Sequence, residues 1–345
     1  MHSSSTTLNK QAQHVLDQWI NGPWQATQVA GDASFRSYYR IHTEQGTRIL
    51  MDAPPDKEDS RPFLDIGHFL KNNGVQTPAI LQEDLATGHL LLEDFGDITF
   101  LTALEQGADA ETLYKQAIEA LITIQRTPQD GSCMAHQRPF DQALLRTELA
   151  LFTDWFIEGI IGTPISKQDR AAFDAVFQTV IDTVLKQPVV LVHRDYHSRN
   201  LMLHDGQVGI IDFQDAVMGP VTYDLASLLR DCYVAWDQPF RDKMMSCWQA
   251  QLPAEIGYAP ESPEAFQRDF DFMALQRNLK AIGIFGRLSI RDGKHGYLED
   301  IPRTMSYVRE VLPNYPELKE LNALVIKYVP EDFIPLPVPA KDHKQ

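Results

Sequence analysis

Short runs of β-branched and aromatic residues near the start of the chain predict β-strands, because such side chains pack well on a pleated surface. The runs lie at 24–29, 38–41, 47–51, 79–81 and 90–92. Between the third and fourth runs, apolar residues recur at helical spacing. This order predicts a small β-sheet braced by a helix.

The rest of the chain is dominated by apolar residues at helical spacing, which predicts a largely helical region. We interpret these apolar stripes as hydrophobic core rather than as a cofactor site. The predicted helices lie at 113–124, 140–160, 171–185, 225–236, 240–251 and 263–289.

One stretch inside the helical region departs from this pattern. The β-branched run at 189–192 predicts a buried strand, and two later apolar runs on either side of an Asp-Gly pair at 205–206 predict a hairpin. Polar residues separate these elements. Asp195 and Asn200 lie between the strand and the hairpin, and Asp212 follows the hairpin.

These three polar residues have the identities that phosphoryl transfer to a hydroxyl requires. Asp195 would accept a hydrogen bond from the attacking hydroxyl and take its proton. Asn200 would offer an amide oxygen and Asp212 a carboxylate oxygen, which are the ligands that Mg²⁺ prefers. Asp and Asn also favour ordinary turns. Their order here, after β-branched apolar runs, favours the phosphoryl-transfer interpretation.

The residues around and after Asp212 resemble the signature of the aminoglycoside-phosphotransferase-like small-molecule kinases, which lack an activation loop. The matching stretch is IDFQDAVMGPVTYDLA, with a closing Asp-Leu-Ala. Together with HRDYHSRNLM and the amino-terminal GDASFRSYYR, it resembles the bacterial branch that phosphorylates N-acetylmuramate and N-acetylglucosamine at C1 in cell-wall recycling. The resemblance extends from about Gly31 to about Tyr307.

The resemblance implies an α+β, bilobal, protein-kinase-like fold that uses ATP and Mg²⁺. A β-rich amino-terminal lobe would comprise residues 1–95, and a helical carboxy-terminal lobe residues 96–345, with a hinge at about 93–96. Within the catalytic loop, His193 is expected to give structural support. Asp224, in the closing Asp-Leu-Ala, is expected to anchor the same loop.

The predicted hinge contains a literal Asp-Phe-Gly at 94–96. A metal-binding Asp must follow Asp195 in this fold, so we interpret Asp94 as a hinge residue and not as a metal ligand. The resemblance implies that the hinge binds adenine. Glu93 and Phe95 are therefore expected at the nucleotide.

The turn before the second predicted strand contains small residues, which allow backbone N–H groups to approach phosphate oxygens. The residues expected at the nucleotide here are Gly31, Ser34, Phe35 and Arg36. An ordinary hairpin would have a similar composition. Arg36 would either add positive charge beside the triphosphate or be a solvated loop arginine.

The third predicted strand lacks the phosphate-binding lysine of protein kinases, and the next lysine is Lys57. Three explanations stay open. The nucleotide is held without this contact, or Arg36 or Arg48 replaces the lysine, or catalysis is weak. An arginine would hold phosphate through two hydrogen bonds where a lysine acts as a point charge.

Basic residues near the predicted substrate pocket are candidates for binding an acidic sugar. Arg199 lies inside the catalytic loop, and a basic cluster follows in the carboxy-terminal helices, at Arg277, Lys280, Arg287 and Arg291. A sugar that bears a carboxylate would need such a cluster. Each of these residues is also compatible with a solvated helix face.

Composition restricts the classes of partner. The formal net charge of -16 argues against nucleic-acid or anionic-membrane partners, which favour a basic face. No run approaches the ~18 apolar residues of a membrane span, and the start shows no secretion signal. Three scattered cysteines fit neither a disulfide framework nor a zinc site. We expect a cytoplasmic enzyme without an obligate protein partner.

The expected activity is ATP-dependent phosphorylation of the anomeric hydroxyl of N-acetylmuramate, N-acetylglucosamine or both. Another kinase of the same fold, acting on an aminoglycoside, a choline-like amine or homoserine, is the main alternative. A protein kinase is disfavoured because no Ala-Pro-Glu segment follows Asp212. A nucleotide-binding protein without catalysis is supported only by the missing lysine.

Overall fold

The computed structural model of the protein describes residues 8–29 and 35–334. The chain forms two compact units. One comprises the chain up to Arg138 together with Arg199–Val217, and the other comprises Pro139–Ser198 together with the chain from Met218 onward. The lobe boundary at residues 93–96 stays a prediction.

Strands and helices follow one another largely in the order that the hydrophobic pattern predicts. In chain order, the described strands are β1 (Trp24–Gln28), β2 (Ser37–Thr43), β3 (Gly46–Asp52), β4 (Ile80–Asp84), β5 (His89–Glu93), β6 (Val189–Val192), β7 (Leu201–His204), β8 (Gln207–Ile210) and β9 (Val217–Pro220). The described α-helices are α1 (Lys10–Trp19), α2 (Arg61–Asn72), α3 (Phe100–Glu105), α4 (Ala110–Gln125), α5 (Gln142–Leu151), α6 (Lys167–Val184), α7 (Tyr223–Leu229), α8 (Gln238–Gln251), α9 (Pro263–Asp292), α10 (Ile301–Val311) and α11 (Lys319–Tyr328).

The first unit is built on an antiparallel sheet of order β1-β2-β3-β5-β4 within the described residues. All of the strands predicted before residue 100 are confirmed. The apolar side of α1 packs on one face of this sheet. The cluster consists of Leu8, Ala12 and Leu16 with Ile41, Leu50 and Leu91.

The predicted hairpin is confirmed in the same unit. β7 pairs antiparallel with β8, and His204 lies opposite Gln207 at its end. The two residues between the strands, Asp205 and Gly206, have φ of 49° and 76°. Two positive φ values match the twist of a tight hairpin, and an Asp-Gly pair tolerates them at small cost. The hairpin carries the chain from Asn200 to Asp212.

The second unit is organised around α9, which packs against α5, α6, α7 and α10. Ser262 caps the start of α9 by accepting the N–H of Ala265 at 3.2 Å, and Gly293 ends it with φ of 66°. No helix in the described part of the chain is both long and apolar enough to cross a membrane.

Two of the helix predictions differ from the structure. The helix predicted at 140–160 is α5 followed by a π-helical segment at Phe152–Ile161. The helix predicted at 225–236 is wrong beyond Leu229. There the Asp231 carboxylate accepts the backbone N–H of Tyr233 at 2.8 Å. Such local hydrogen bonding competes with a helix.

The close crossing of α9 and α5 depends on a glycine. A Cβ added at Gly283 would lie 2.3 Å from the carbonyl carbon of Leu151. Gly283→Ala is therefore expected to lower the free energy of unfolding by about 1–3 kcal/mol through overpacking. Urea unfolding measures this change. Gly296→Ala is the control, because nothing lies within 4 Å of its added Cβ. Equal stability of the two variants would contradict this helix packing.

Candidate active site

The loop that carries Asp195 is held by the carboxylate of Asp224. This carboxylate accepts the backbone N–H of His193 at 2.7 Å and that of Arg194 at 3.1 Å. Arg194 has φ of 77°, a left-handed conformation that a non-glycine residue adopts only at a cost of about 1–3 kcal/mol. Asp224 is completely buried, and burial raises its pKa to about 6 against the lowering effect of the His193 charge and of these N–H groups.

Asp195 follows directly and is held in its ionised form. Burial alone would raise its pKa, but the charge of Lys280, followed by those of His197 and Arg194, lowers it to about 2. The backbone N–H of Asp195 lies 3.3 Å from Nδ1 of His193, which can accept it. The role of His193 as a structural support of the loop stays a prediction. Asp195 is therefore an anion at neutral pH.

Glu148 on α5 balances the positive charge around this loop. It is buried, and its Oε1 lies 2.6 Å from Nη2 of Arg194 and 3.4 Å from Nζ of Lys280. Its Oε2 accepts a hydrogen bond from Gln276 at 2.9 Å. Burial alone would lower the pKa of Lys280. The negative charge of Glu148 outweighs this effect and raises the pKa.

Sequence analysis missed Glu148, because the stretch around it was interpreted only as an apolar core stripe. A charged residue among the apolar positions of α5 was the available signal. Asp231 was missed in the same way. Its carboxylate accepts the N–H of Ser198 at 2.8 Å and so fixes the far end of the catalytic loop.

A cavity of about 450 Å³ lies within the first unit. Its apolar walls suit a planar ring system, and its polar lining residues include Asn200 and Asp212. The apolar lining residues are Val29, Ile49, Phe63, Pro78, Leu92, Phe95, Met202, Ile211 and Phe213. Glu93 and Phe95, which are expected at the nucleotide, both line this cavity.

Asn200 and Asp212 are brought together by the β7–β8 hairpin. The N–H of Ile211 donates to the carbonyl of Asn200 at 3.1 Å, and the Asn200 amide lies 3.4 Å from Oδ2 of Asp212. Asp212 has φ of 64°, and its Oδ1 accepts a hydrogen bond from Gln214 at 2.8 Å. One carboxylate and one amide oxygen fit Mg²⁺, which usually completes its shell with phosphates and water.

No group of three or more His, Cys, Asp or Glu side chains suited to a metal occurs in residues 8–29 and 35–334. The predicted Mg²⁺ site does not depend on such a group, since Mg²⁺ is commonly bound by one or two carboxylates plus substrate phosphates.

The predicted hinge residues have well-defined contacts. Phe95 stacks on His204 with ring centroids 4.4 Å apart, and the Glu93 carboxylate accepts the N–H of Ala79 at 3.0 Å. Asp94 accepts from Nε of Arg40 at 2.6 Å and from Nη2 of the same side chain at 3.1 Å. Asp94 thus forms an ion pair with Arg40, and its assignment as a hinge residue stays a prediction.

Arg40 is a further candidate to replace the missing phosphate-binding lysine, and it was not among the residues considered from the sequence. Arg40 on β2 lines the cavity. Arg36 instead pairs with Glu58 at 3.5 Å, and Arg48 donates to the carbonyl of Thr47 at 2.6 Å. Phe35 is 64% exposed. Gly31 and Ser34 lie outside the described residues.

The candidate substrate residues divide between the two units. Arg199 is exposed and lines the cavity of the first unit. Arg277 and Lys280 are buried on α9 in the second unit. Arg287 lies further along α9, where burial, followed by the charge of Arg291, lowers its pKa.

The sequence profile described as "Phosphotransferase enzyme family" matches residues 25–257. The chain belongs to this family. A Pseudomonas putida protein named N-acetylmuramate/N-acetylglucosamine kinase is 43% identical over 300 residues, covering 87% of each chain. A protein of the same name from Pseudomonas aeruginosa is 40% identical over 304 residues, covering 88% of each.

The fold is similar to that of solved small-molecule kinases. An ADP-bound aminoglycoside phosphotransferase superposes with a TM-score of 0.60 and 15% identity, over 88% of this chain and 99% of that one. The predicted fold class is confirmed, with a sheet in the amino-terminal part and a largely helical carboxy-terminal part.

Glu148→Gln keeps the size of the side chain but leaves Arg194 and Lys280 without their buried counter-charge. Removing one partner of a buried ion pair typically costs about 3–5 kcal/mol. We expect a loss of stability near the lower end of that range, because the amide still accepts one hydrogen bond, together with a lower kcat. Urea unfolding and steady-state kinetics measure the two effects.

Glu105→Gln is the matched control, because Glu105 is exposed at the end of α3. If Glu148→Gln has the stability and kcat of this control, Glu148 does not support the catalytic loop.

Proposed function

We propose that this protein is an ATP-dependent kinase that phosphorylates the anomeric hydroxyl of N-acetylmuramate, N-acetylglucosamine or both, as a step in peptidoglycan recycling. The proposal rests chiefly on the 43% and 40% identity to relatives that bear those sugars in their names. The ionised Asp195 on its anchored loop supplies a group suited to this reaction. We further propose that the enzyme acts in the cytoplasm, where ATP is available.

In this proposal, Asp195 accepts a hydrogen bond from the anomeric hydroxyl and orients the hydroxyl oxygen toward the γ-phosphorus of ATP. The hydroxyl oxygen bonds to phosphorus, the bond from the γ-phosphorus to ADP breaks, and the proton passes to the Asp195 carboxylate. A carboxylate whose pKa is about 2 is a weak base. An anomeric hydroxyl is more acidic than other sugar hydroxyls, so a weak base suffices.

The cavity of the first unit is the proposed nucleotide site. Its apolar walls would hold the adenine ring, with Phe95 among them and Glu93 beside it. Asn200 and Asp212 would hold Mg²⁺ through their side-chain oxygens. When bound, the metal neutralises charge on the phosphate oxygens. Arg199 lines the same cavity and would approach the phosphates or the sugar.

Phosphorus-31 NMR tests this proposal directly. The purified protein is incubated with MgATP and with each of the two sugars in turn. We expect a new phosphomonoester signal coupled to the anomeric proton, which mild acid then removes, because glycosyl 1-phosphates are acid-labile. An acid-stable product would place the phosphate on another hydroxyl. If neither sugar reacts, amine-bearing acceptors are tried, and the substrate assignment falls.

Asp195→Asn is the control for the site of reaction. General-base catalysis typically contributes about 10²–10⁴-fold, so a comparable loss of kcat is expected. Thermal unfolding verifies that the variant folds. Near-normal turnover by a folded variant would remove Asp195 from the mechanism.

A further inference from the structure

Buried arginines of the second unit have carboxylate partners, with one exception in the part of the chain that the structure describes. Arg230 pairs with Asp271 at 3.0 Å, and Arg241 pairs with Glu310. Arg277 is as deeply buried, with 5% of its surface exposed, but has no carboxylate within 4.0 Å among the described residues. Burial of an unpaired charge is costly, so its retention needs a reason.

The hydrogen-bond donors of Arg277 are largely unused. Its Nη1 lies 3.9 Å from Sγ of Cys232, which is a long contact to a weak acceptor. Its Nε is buried without a partner among the described residues. The Nε and Nη2 edge of a guanidinium forms a planar fork that matches two lone pairs of a carboxylate or approaches one carbonyl oxygen.

Arg277 lies beside the catalytic loop. It precedes Lys280 by one turn of α9, and its charge interacts with those of Asp231 and Asp195. His197, two residues after Asp195, is also affected by the Arg277 charge. Burial of His197, first among the causes, lowers its pKa to about 4, so that its ring is neutral at pH 7.

A second polar atom near Asp195 also lacks a partner. Nδ1 of His197 is buried and unbonded within the described residues, while its ring packs edge-on against Tyr233 at 5.2 Å between centroids. Nε of the ion-paired Arg230 and Arg241 also lacks a partner, so the absence of a carboxylate within 4.0 Å among the described residues is what distinguishes Arg277. Together with the unbonded Nδ1 of His197, it favours a polar ligand group beside the loop that carries Asp195.

We propose that Arg277 binds the acceptor sugar through an oxygen of its acyl or carboxylate substituent. This inference rests on the proposed function. Lys280 is the alternative cation on α9, but its ammonium group is already engaged by Glu148 at 3.4 Å and by the hydroxyl of Tyr223 at 3.0 Å. Arg277, by contrast, has an Nε–H without a partner among the described residues and an Nη1 with only a long contact to sulfur.

The two candidate sugars separate the possible oxygen sources. Both carry an N-acetyl group, but only N-acetylmuramate carries a carboxylate. Steady-state kinetics with each sugar are measured for the wild type, Arg277→Met and Arg277→Lys, at saturating MgATP. The methionine removes the charge and keeps much of the length, while the lysine keeps the charge and loses the fork. Arg126→Met, at an exposed arginine ending α4, is the control.

We expect Arg277→Met to raise KM by about 10- to 100-fold, as expected for the loss of a charge-assisted hydrogen bond, with kcat little changed. Arg277→Lys should give a smaller rise. An equal rise for both sugars assigns the contact to the acetyl oxygen. A rise for N-acetylmuramate alone assigns it to the carboxylate.

Unchanged KM values for both sugars, or a loss confined to kcat, would overturn the inference. If Arg277→Met fails to fold, as judged by its melting temperature, Arg277→Lys alone decides. If the wild-type protein phosphorylates neither sugar, the proposed function itself is refuted. Failure of the Arg277 inference is therefore distinguishable from failure of the proposed function.

Discussion

The carboxylate of Asp224 determines the backbone shape on which the proposed chemistry depends. By accepting the N–H groups of His193 and Arg194, it holds Arg194 in a left-handed conformation that the chain would otherwise leave. β6 delivers the loop, and Asp231 fixes its far end at Ser198. Asp195 therefore projects from a short segment that is held by carboxylates on both sides.

The same loop concentrates charge in a buried setting. Lys280 and Arg194 keep Asp195 ionised, and the Glu148 carboxylate contacts both of these cations. Such a cluster is costly to bury unless every member has a partner. Among the residues that the structure describes, Arg277 has no carboxylate within 4.0 Å. A weakly basic Asp195 and a cation with unused donors together favour an acidic hydroxyl on a sugar that carries oxygen-bearing substituents.

Local features of this protein were predictable from its sequence, and distant contacts were not. The strand at Val189–Val192 and the Asp205-Gly206 turn follow from residues adjacent in the chain. The roles of Asp195, Asn200 and Asp212 were proposed from their order and from the family resemblance, and they stay proposals. The Arg194–Glu148 contact joins residues 46 positions apart, and no periodicity encodes such a pairing.

The kcat of Asp224→Asn, compared with its nucleotide KM and melting temperature, shows whether the Asp224 carboxylate shapes the catalytic loop. An asparagine offers one oxygen acceptor and turns its NH₂ group toward a backbone donor, leaving a buried N–H without a partner at a cost of about 1–3 kcal/mol. We expect a kcat lower by about 10- to 100-fold, with the nucleotide KM near that of the wild type and the protein folded. A folded variant with wild-type kcat would show that Asp224 does not determine the shape of the loop.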